Sequence, residues 1–142
     1  MERNLIEKYI EHNHFGRLIG MDFKVVEDGK VEYTLRITRE HLATPASAHG
    51  GVIAALVDAA LGVAALSAVY KENKVVSTVE YKLNFMSPVA LNDEIKAIAT
   101  VEQKGKRILV VSCDIVNTSR NNCMVAKALG TFNAYPAEKA GY

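Results

Sequence analysis

The tripeptide His49-Gly50-Gly51 precedes a run from Val52 to Ala68 in which Asp58 is the one charged residue. Paired glycines at a helix start let another group approach the backbone closely. The first turn of a helix carries unpaired N–H groups and a partial positive charge. Gly50 is therefore a candidate oxyanion seat. A carboxylate isolated in apolar surroundings is expensive, so Asp58 is a candidate general base. The bland alternatives are a solvated Asp at a helix edge and glycines that serve tight packing. Spacing adds a constraint. Eight helical residues cover about 12 Å, whereas a base and an oxyanion donor must both reach one reacting centre. One chain does not supply both. Two antiparallel copies of the helix about a two-fold axis do, pairing Gly50 of one chain with Asp58 of the other and making two sites. If the pair is catalytic, the protein is at least a dimer and a monomer is inactive.

These residues need a long helix and something to cover it. The apolar run predicts a helix over about 50–69, roughly 30 Å long, ending at the polar "YKENK". An Asp at its centre disfavours a membrane span by about 2.5–3.5 kcal/mol, and a helix apolar all round fits a protein interior. "ERNLIEKYIEHN" has helical spacing and predicts a short amphipathic N-terminal helix over about 3–12. Asp28-Gly29 joins two strands as a hairpin turn. Val31, Tyr33, Leu35 and Ile37 alternate with polar residues, the period of a half-buried strand. Pro45 lies in a loop before the long helix. Four strands follow, in "VVSTVEYKLNFM", "EIKAIATVEQ", "RILVVSCDIVN" and "CMVAKALGTFNAY". In the first of them Val75, Val79, Tyr81, Leu83 and Phe85 are expected on one face. Thr78 falls in the alternate set, turned away from its own helix unless a bulge re-aims it. The expected class is α+β: one domain over 1–142, a long central helix wrapped by a curved antiparallel sheet, and a frayed tail over 136–142.

Composition narrows the function classes. The chain has 142 residues, 49% hydrophobic and 23% charged, with net charge +1. That is one globular domain with material for a core. Its basic residues are scattered, which argues against nucleic acid as a partner. The charged N-terminus lacks the apolar core of a signal peptide, and Cys113 and Cys123 form no metal-binding spacing, so a cytoplasmic protein with free thiols is expected. His12, His14 and His41 are expected at the surface, without the further ligands a metal needs.

"AHGGVIAALVDAALG", the strand "VVSTVEYKLNFMSPV" and the hairpins beyond resemble the phenylacetate-pathway (PaaI-like) branch of hotdog-fold acyl-CoA thioesterases. The resemblance runs from about Phe15 to Tyr135. It implies a hotdog fold and hydrolysis of an acyl-CoA to free acid and coenzyme A, with no cofactor. It implies that Gly50 polarises the thioester carbonyl, and that Asp58 of the partner chain activates water or attacks as nucleophile. His49 would position the loop and thioester, Gly51 would contact substrate, and Thr78 would stand near the catalytic water. It also implies a homodimer, assembled into a homotetramer as a dimer of dimers. Where many members carry an Asn six residues before the HGG histidine, this sequence has Ala43.

The leading expectation is thus a thioesterase for an aromatic or medium-chain acyl-CoA. Two alternatives stand beside it. A non-catalytic acyl-CoA-binding module gains weight from Ala43, and a hotdog enoyl-CoA hydratase or dehydratase would pair a His with an acid at a different helix spacing.

Overall fold

The computed structural model describes residues 3–142. Its centre is α3, Gly50–Val69. Ile53, Leu56, Val57, Ala60, Leu61 and Ala64 are all within 3% of full burial. The helix is long and apolar enough to cross a membrane, but 67% of that stretch lies inside the fold, as befits a core helix. Its C-terminal end is tied down by Ser67. The Ser67 hydroxyl donates to the Ala64 carbonyl at 2.7 Å and accepts the buried Gly29 N–H at 2.8 Å.

The sheet that wraps α3 has six antiparallel strands. In chain order they are β1 (Asp22–Glu27), β2 (Lys30–Arg36), β5 (Lys74–Phe85), β6 (Glu94–Lys104), β7 (Ile108–Asn117) and β8 (Cys123–Pro136). A small hairpin, β3 (Leu42–Thr44) and β4 (Ser47–Ala48), lies just before α3. The spatial order is β1-β2-β6-β7-β8-β5. The strand that follows α3 therefore crosses to the far edge before β6 to β8 fill the middle. Alternation in β2 and β7 puts Tyr33, Leu35, Leu109 and Ile115 against the helix, fully or almost fully buried. This is the α+β architecture the sequence leads one to expect.

The expected face of β5 needs correction. Val79 is 56% exposed, whereas Phe85, though exposed at the strand's end, stays on the side of Tyr81 and Leu83, its ring 3.5 Å from where a Gly50 Cβ would lie. The register against β8 runs Thr78↔Phe132 and then Glu80↔Thr131, so Val79 is the extra residue of a β-bulge. The bulge resets the alternation. Thr78 before it and Tyr81 after it both reach α3. Gly130, opposite Tyr81 in β8, makes room for this. A Cβ at Gly130 would lie 2.9 Å from the Tyr81 Cβ and 3.0 Å from Leu61 Cδ1. Gly130→Ala is expected to destabilise the fold by about 1–3 kcal/mol, as overpacking does. Urea unfolding monitored by circular dichroism checks it.

Both ends of the chain carry more structure than expected. The expected N-terminal helix is α1 (Leu5–His12), and a second helix follows it, α2 (His14–Ile19), which Asn13 caps through its side chain to the Gly16 N–H. Gly20, at φ 90°, ends α2 in the left-handed conformation. The tail is not frayed. Ala137–Ala140 form a 3₁₀ turn, Ala137 N–H donates to the Asn73 carbonyl, and buried Ala137 packs with Leu5, Leu66 and Val75. The Tyr142 ring meets His12 edge-on with centroids 5.8 Å apart. His41 is buried rather than at the surface. Cys113 is a core residue, and burial pushes its thiol up to about 12, which makes it a poor nucleophile.

Candidate active site

Asp58 lies halfway along α3, partly buried, with β5 beside it. The Thr78 hydroxyl donates to Asp58 Oδ1 at 2.8 Å. No group among the described residues donates to Oδ2, so one carboxylate oxygen is held and the other is free to act. Tyr81 stands one turn away, its hydroxyl donating to the Ala54 carbonyl at 3.3 Å. Burial first, and then the Asp58 charge, raises the Tyr81 phenol above its usual value. The Thr78 contact exists because of the bulge at Val79. Strict alternation would point the hydroxyl to the other side of the sheet.

The carboxylate opens into a cavity of about 360 Å³. Asp58 and Thr78 are its polar edge, and Ala59, Gly62 and Phe132 form its apolar floor. Tyr9 and Phe15, from α1 and α2, add a further wall. An apolar cavity with a few convergent polar groups is the usual form of a small-molecule site. The sequence gives no sign of this wall, because it is made by a segment some fifty residues before Asp58 that has to fold back over the helix.

His49, Gly50 and Gly51 form the other part of the site. His49 is the N-cap of α3, and its Nδ1 accepts the Gly51 N–H at 2.7 Å. With Nδ1 accepting, a neutral ring carries its proton on Nε2, and the residue is exposed. Gly51 must be glycine for this seating, since a Cβ there would lie 2.9 Å from Nδ1. The Gly50 N–H has no acceptor among the described residues, at the positive end of a 20-residue helix. Gly50 opens into a shallow groove with Ser47, Phe85, Pro88 and Val89. That groove is separate from the Asp58 cavity. Within one protomer, then, the structure joins Asp58 to Thr78 and His49 to Gly51, and it does not bring Gly50 to Asp58.

Residues 46–124 match the family model described as the thioesterase superfamily. That span contains both halves of the site. The chain is 30% identical over 116 residues to acyl-coenzyme A thioesterase 13 of Homo sapiens, covering 81% of each protein. Its fold is similar to that of the E. coli PaaI protein from the phenylacetic acid degradation operon, with TM-score 0.83 and 24% identity, covering 92% of this chain and 90% of that one. It is also similar in fold to a hypothetical thioesterase of Streptococcus pneumoniae solved with coenzyme A. There the TM-score is 0.73 and the identity 22%, over 82% of this chain and 87% of that one.

Proposed function

The chain belongs to the thioesterase superfamily and is a thioester hydrolase, and from that premise we propose that it hydrolyses an aromatic or medium-chain acyl-CoA at a site shared between two protomers. One observation carries the shared site. Asp58 and Gly50 have the chemistry one hydrolysis needs, yet they open into separate concavities of the same chain.

The free edge of β5 supports the pairing. It is 12 residues long, and Val79, Phe85 and the following Met86 are each more than half exposed. A long apolar edge is a surface that natural proteins cover. Gly50 lies beside Phe85, and Asp58 is bonded to Thr78. An antiparallel pair of β5 strands centred between Tyr81 and Lys82 sets Phe85 of one protomer opposite Thr78 of its partner. Gly50 then approaches the partner's Asp58, and the two-fold axis repeats the arrangement. Two such dimers back to back form the proposed homotetramer.

The chemistry follows from the geometry. The thioester carbonyl oxygen accepts the Gly50 N–H, which stabilises the negative charge that develops on it. Asp58 Oδ2 takes a proton from water, which attacks the carbonyl carbon, or Oδ2 itself attacks to form an anhydride that water then opens. Coenzyme A leaves as the thiolate and is protonated. Thr78 holds Oδ1 so that Oδ2 faces the reaction. His49 and Gly51 fix the first turn of the helix, and the open surface at Gly51 lets the thioester come close. The acyl group enters the cavity beside Asp58, whose volume suits an aromatic ring or a medium alkyl chain.

Removing the Thr78 hydroxyl should matter less than removing the carboxylate. A hydrogen bond to a charged group contributes about 1.5–3 kcal/mol, and part of it persists in the transition state. Thr78→Val is therefore expected to lower kcat about 10-fold with little change in KM, measured by thiol release.

A hydrolysis panel of aromatic and aliphatic acyl-CoAs of rising length tests the function. Turnover that is best for aromatic or medium-chain members supports the proposal. Tight binding with no thiol release would favour the acyl-CoA-binding alternative. Sedimentation tests the required dimer.

A further inference from the structure

His41 closes the 3₁₀ turn Arg39–His41 and is 5% exposed. Thr38 N–H donates to its Nδ1 at 3.0 Å, so Nδ1 is an acceptor and Nε2 bears the proton. Nε2 donates to the carbonyl of Ile19, the last residue of α2, at 2.7 Å. The His41 carbonyl accepts the N–H of His49 at 2.7 Å. One buried residue thus joins the end of α2, the turn before β3, and the residue that precedes Gly50.

The surroundings make this junction matter. Between His41 and His49 the chain makes the β3–β4 hairpin, whose residues Ala43, Thr44, Pro45 and Ala46 are exposed. Leu42 and Ala48 at its ends pack on the core, and between them the position of the exposed segment is set by hydrogen bonds. There are two strong ones at its exit: Ala48 N–H to the Val89 carbonyl at 2.8 Å, and His49 N–H to His41. The second is the last anchor before the Gly50 N–H. An oxyanion donor works only when it is aimed at the place where charge develops, and a displacement of about 1 Å costs about 100-fold in rate.

We infer that His41 is a positioning residue for the reaction: its imidazole fixes the backbone that presents the Gly50 N–H, and it ties that backbone to α2, which walls the acyl cavity. His41 touches neither substrate nor reacting atoms. The inference rests on the proposed role of Gly50.

The test compares His41→Phe, His41→Asn and His41→Gln in the full chain. Phe fills the volume and makes neither hydrogen bond. The Asn side-chain oxygen can take the Thr38 N–H but does not reach Ile19. The Gln amide nitrogen can reach Ile19. Three quantities are read: kcat and KM for acyl-CoA hydrolysis, the thermal midpoint, and the ¹H–¹⁵N resonance of Gly50. The expected result is a fall in kcat of about 10–100-fold for His41→Phe. KM should stay within about 3-fold on the same argument. The Gly50 resonance should shift, and kcat should partly recover in His41→Gln. The inference is overturned if folded variants keep kcat within about 2-fold of wild type with the Gly50 resonance unmoved. It is overturned equally if kcat falls only in step with loss of folded protein and Gln restores nothing. Gly50→Pro separates this from the underlying reading. A fully active Gly50→Pro removes the role of Gly50 itself, whereas an inactive Gly50→Pro with active His41 variants removes only the role of His41.

Discussion

Asp58→Asn is expected to reduce kcat for acyl-CoA hydrolysis by about 10²–10⁴-fold, the range supplied by a positioned general base. The substitution keeps the shape of the side chain. Asn Oδ1 can still accept the Thr78 hydroxyl, which bonds Asp58 Oδ1 at 2.8 Å. The carboxylate is only partly buried and makes no ion pair among the described residues, so its loss does not leave an unpaired partner charge. The variant should therefore fold, assemble and bind acyl-CoA with KM near that of wild type. What it lacks is a basic oxygen at Oδ2. Steady-state thiol release, with sedimentation to confirm assembly, makes the measurement. Turnover at the wild-type rate would remove Asp58 from the mechanism, whether as base or as nucleophile.

Gly50→Pro is expected to lower kcat by about 10²–10³-fold, the usual cost of losing one oxyanion donor. Proline is suited to this test because Gly50 is the first residue of α3. That position tolerates proline, whose missing N–H has no helical partner there. The residue before a proline must be extended, and His49 already is, at φ −66° and ψ 136°. An added Cβ would meet the Phe85 ring at 3.5 Å, an ordinary contact. The change thus deletes one N–H and leaves the helix in place. An alanine at Gly50 supplies the control, because it adds the Cβ but keeps the N–H. A large loss in Gly50→Pro with a small one in Gly50→Ala assigns the effect to the donor.

The helix and the sheet could be read from sequence because their signals are local. Two glycines and a polar "YKEN" bound the apolar run, and α3 begins and ends there. Period-two alternation marks β2 and β7 for the same reason. The bulge at Val79 had no local signal. Alternation says which residues share a face, but not where one extra residue is inserted. That is why Thr78, which alternation turns away, reaches Asp58. The corresponding clue sat in another strand, at Gly130, where only a glycine admits Tyr81. His41 lacks a local signal for a similar reason. Its burial depends on a carbonyl 22 residues earlier, at Ile19. The tail escaped because Ala137 docks on Leu5 and Val75, which are remote in sequence. The chemistry of Asp58 and Gly50 was legible as residue type and spacing, and the wall of Tyr9 and Phe15 around the acyl cavity was not.

The central claim is that each site takes Gly50 from one protomer and Asp58 from the other. Mixing the two inactive variants tests it directly. A dimer of one Asp58→Asn chain and one Gly50→Pro chain has one site with both defects and one site with none. Unfolded chains combined in equal amounts and refolded together should recover about a quarter of wild-type activity, since about half the dimers are mixed and each has one intact site. Co-expressed and doubly tagged mixed dimers should recover about half. Activity in the mixture no greater than the mean of the two parent variants would contradict the shared site and place the whole reaction within one chain.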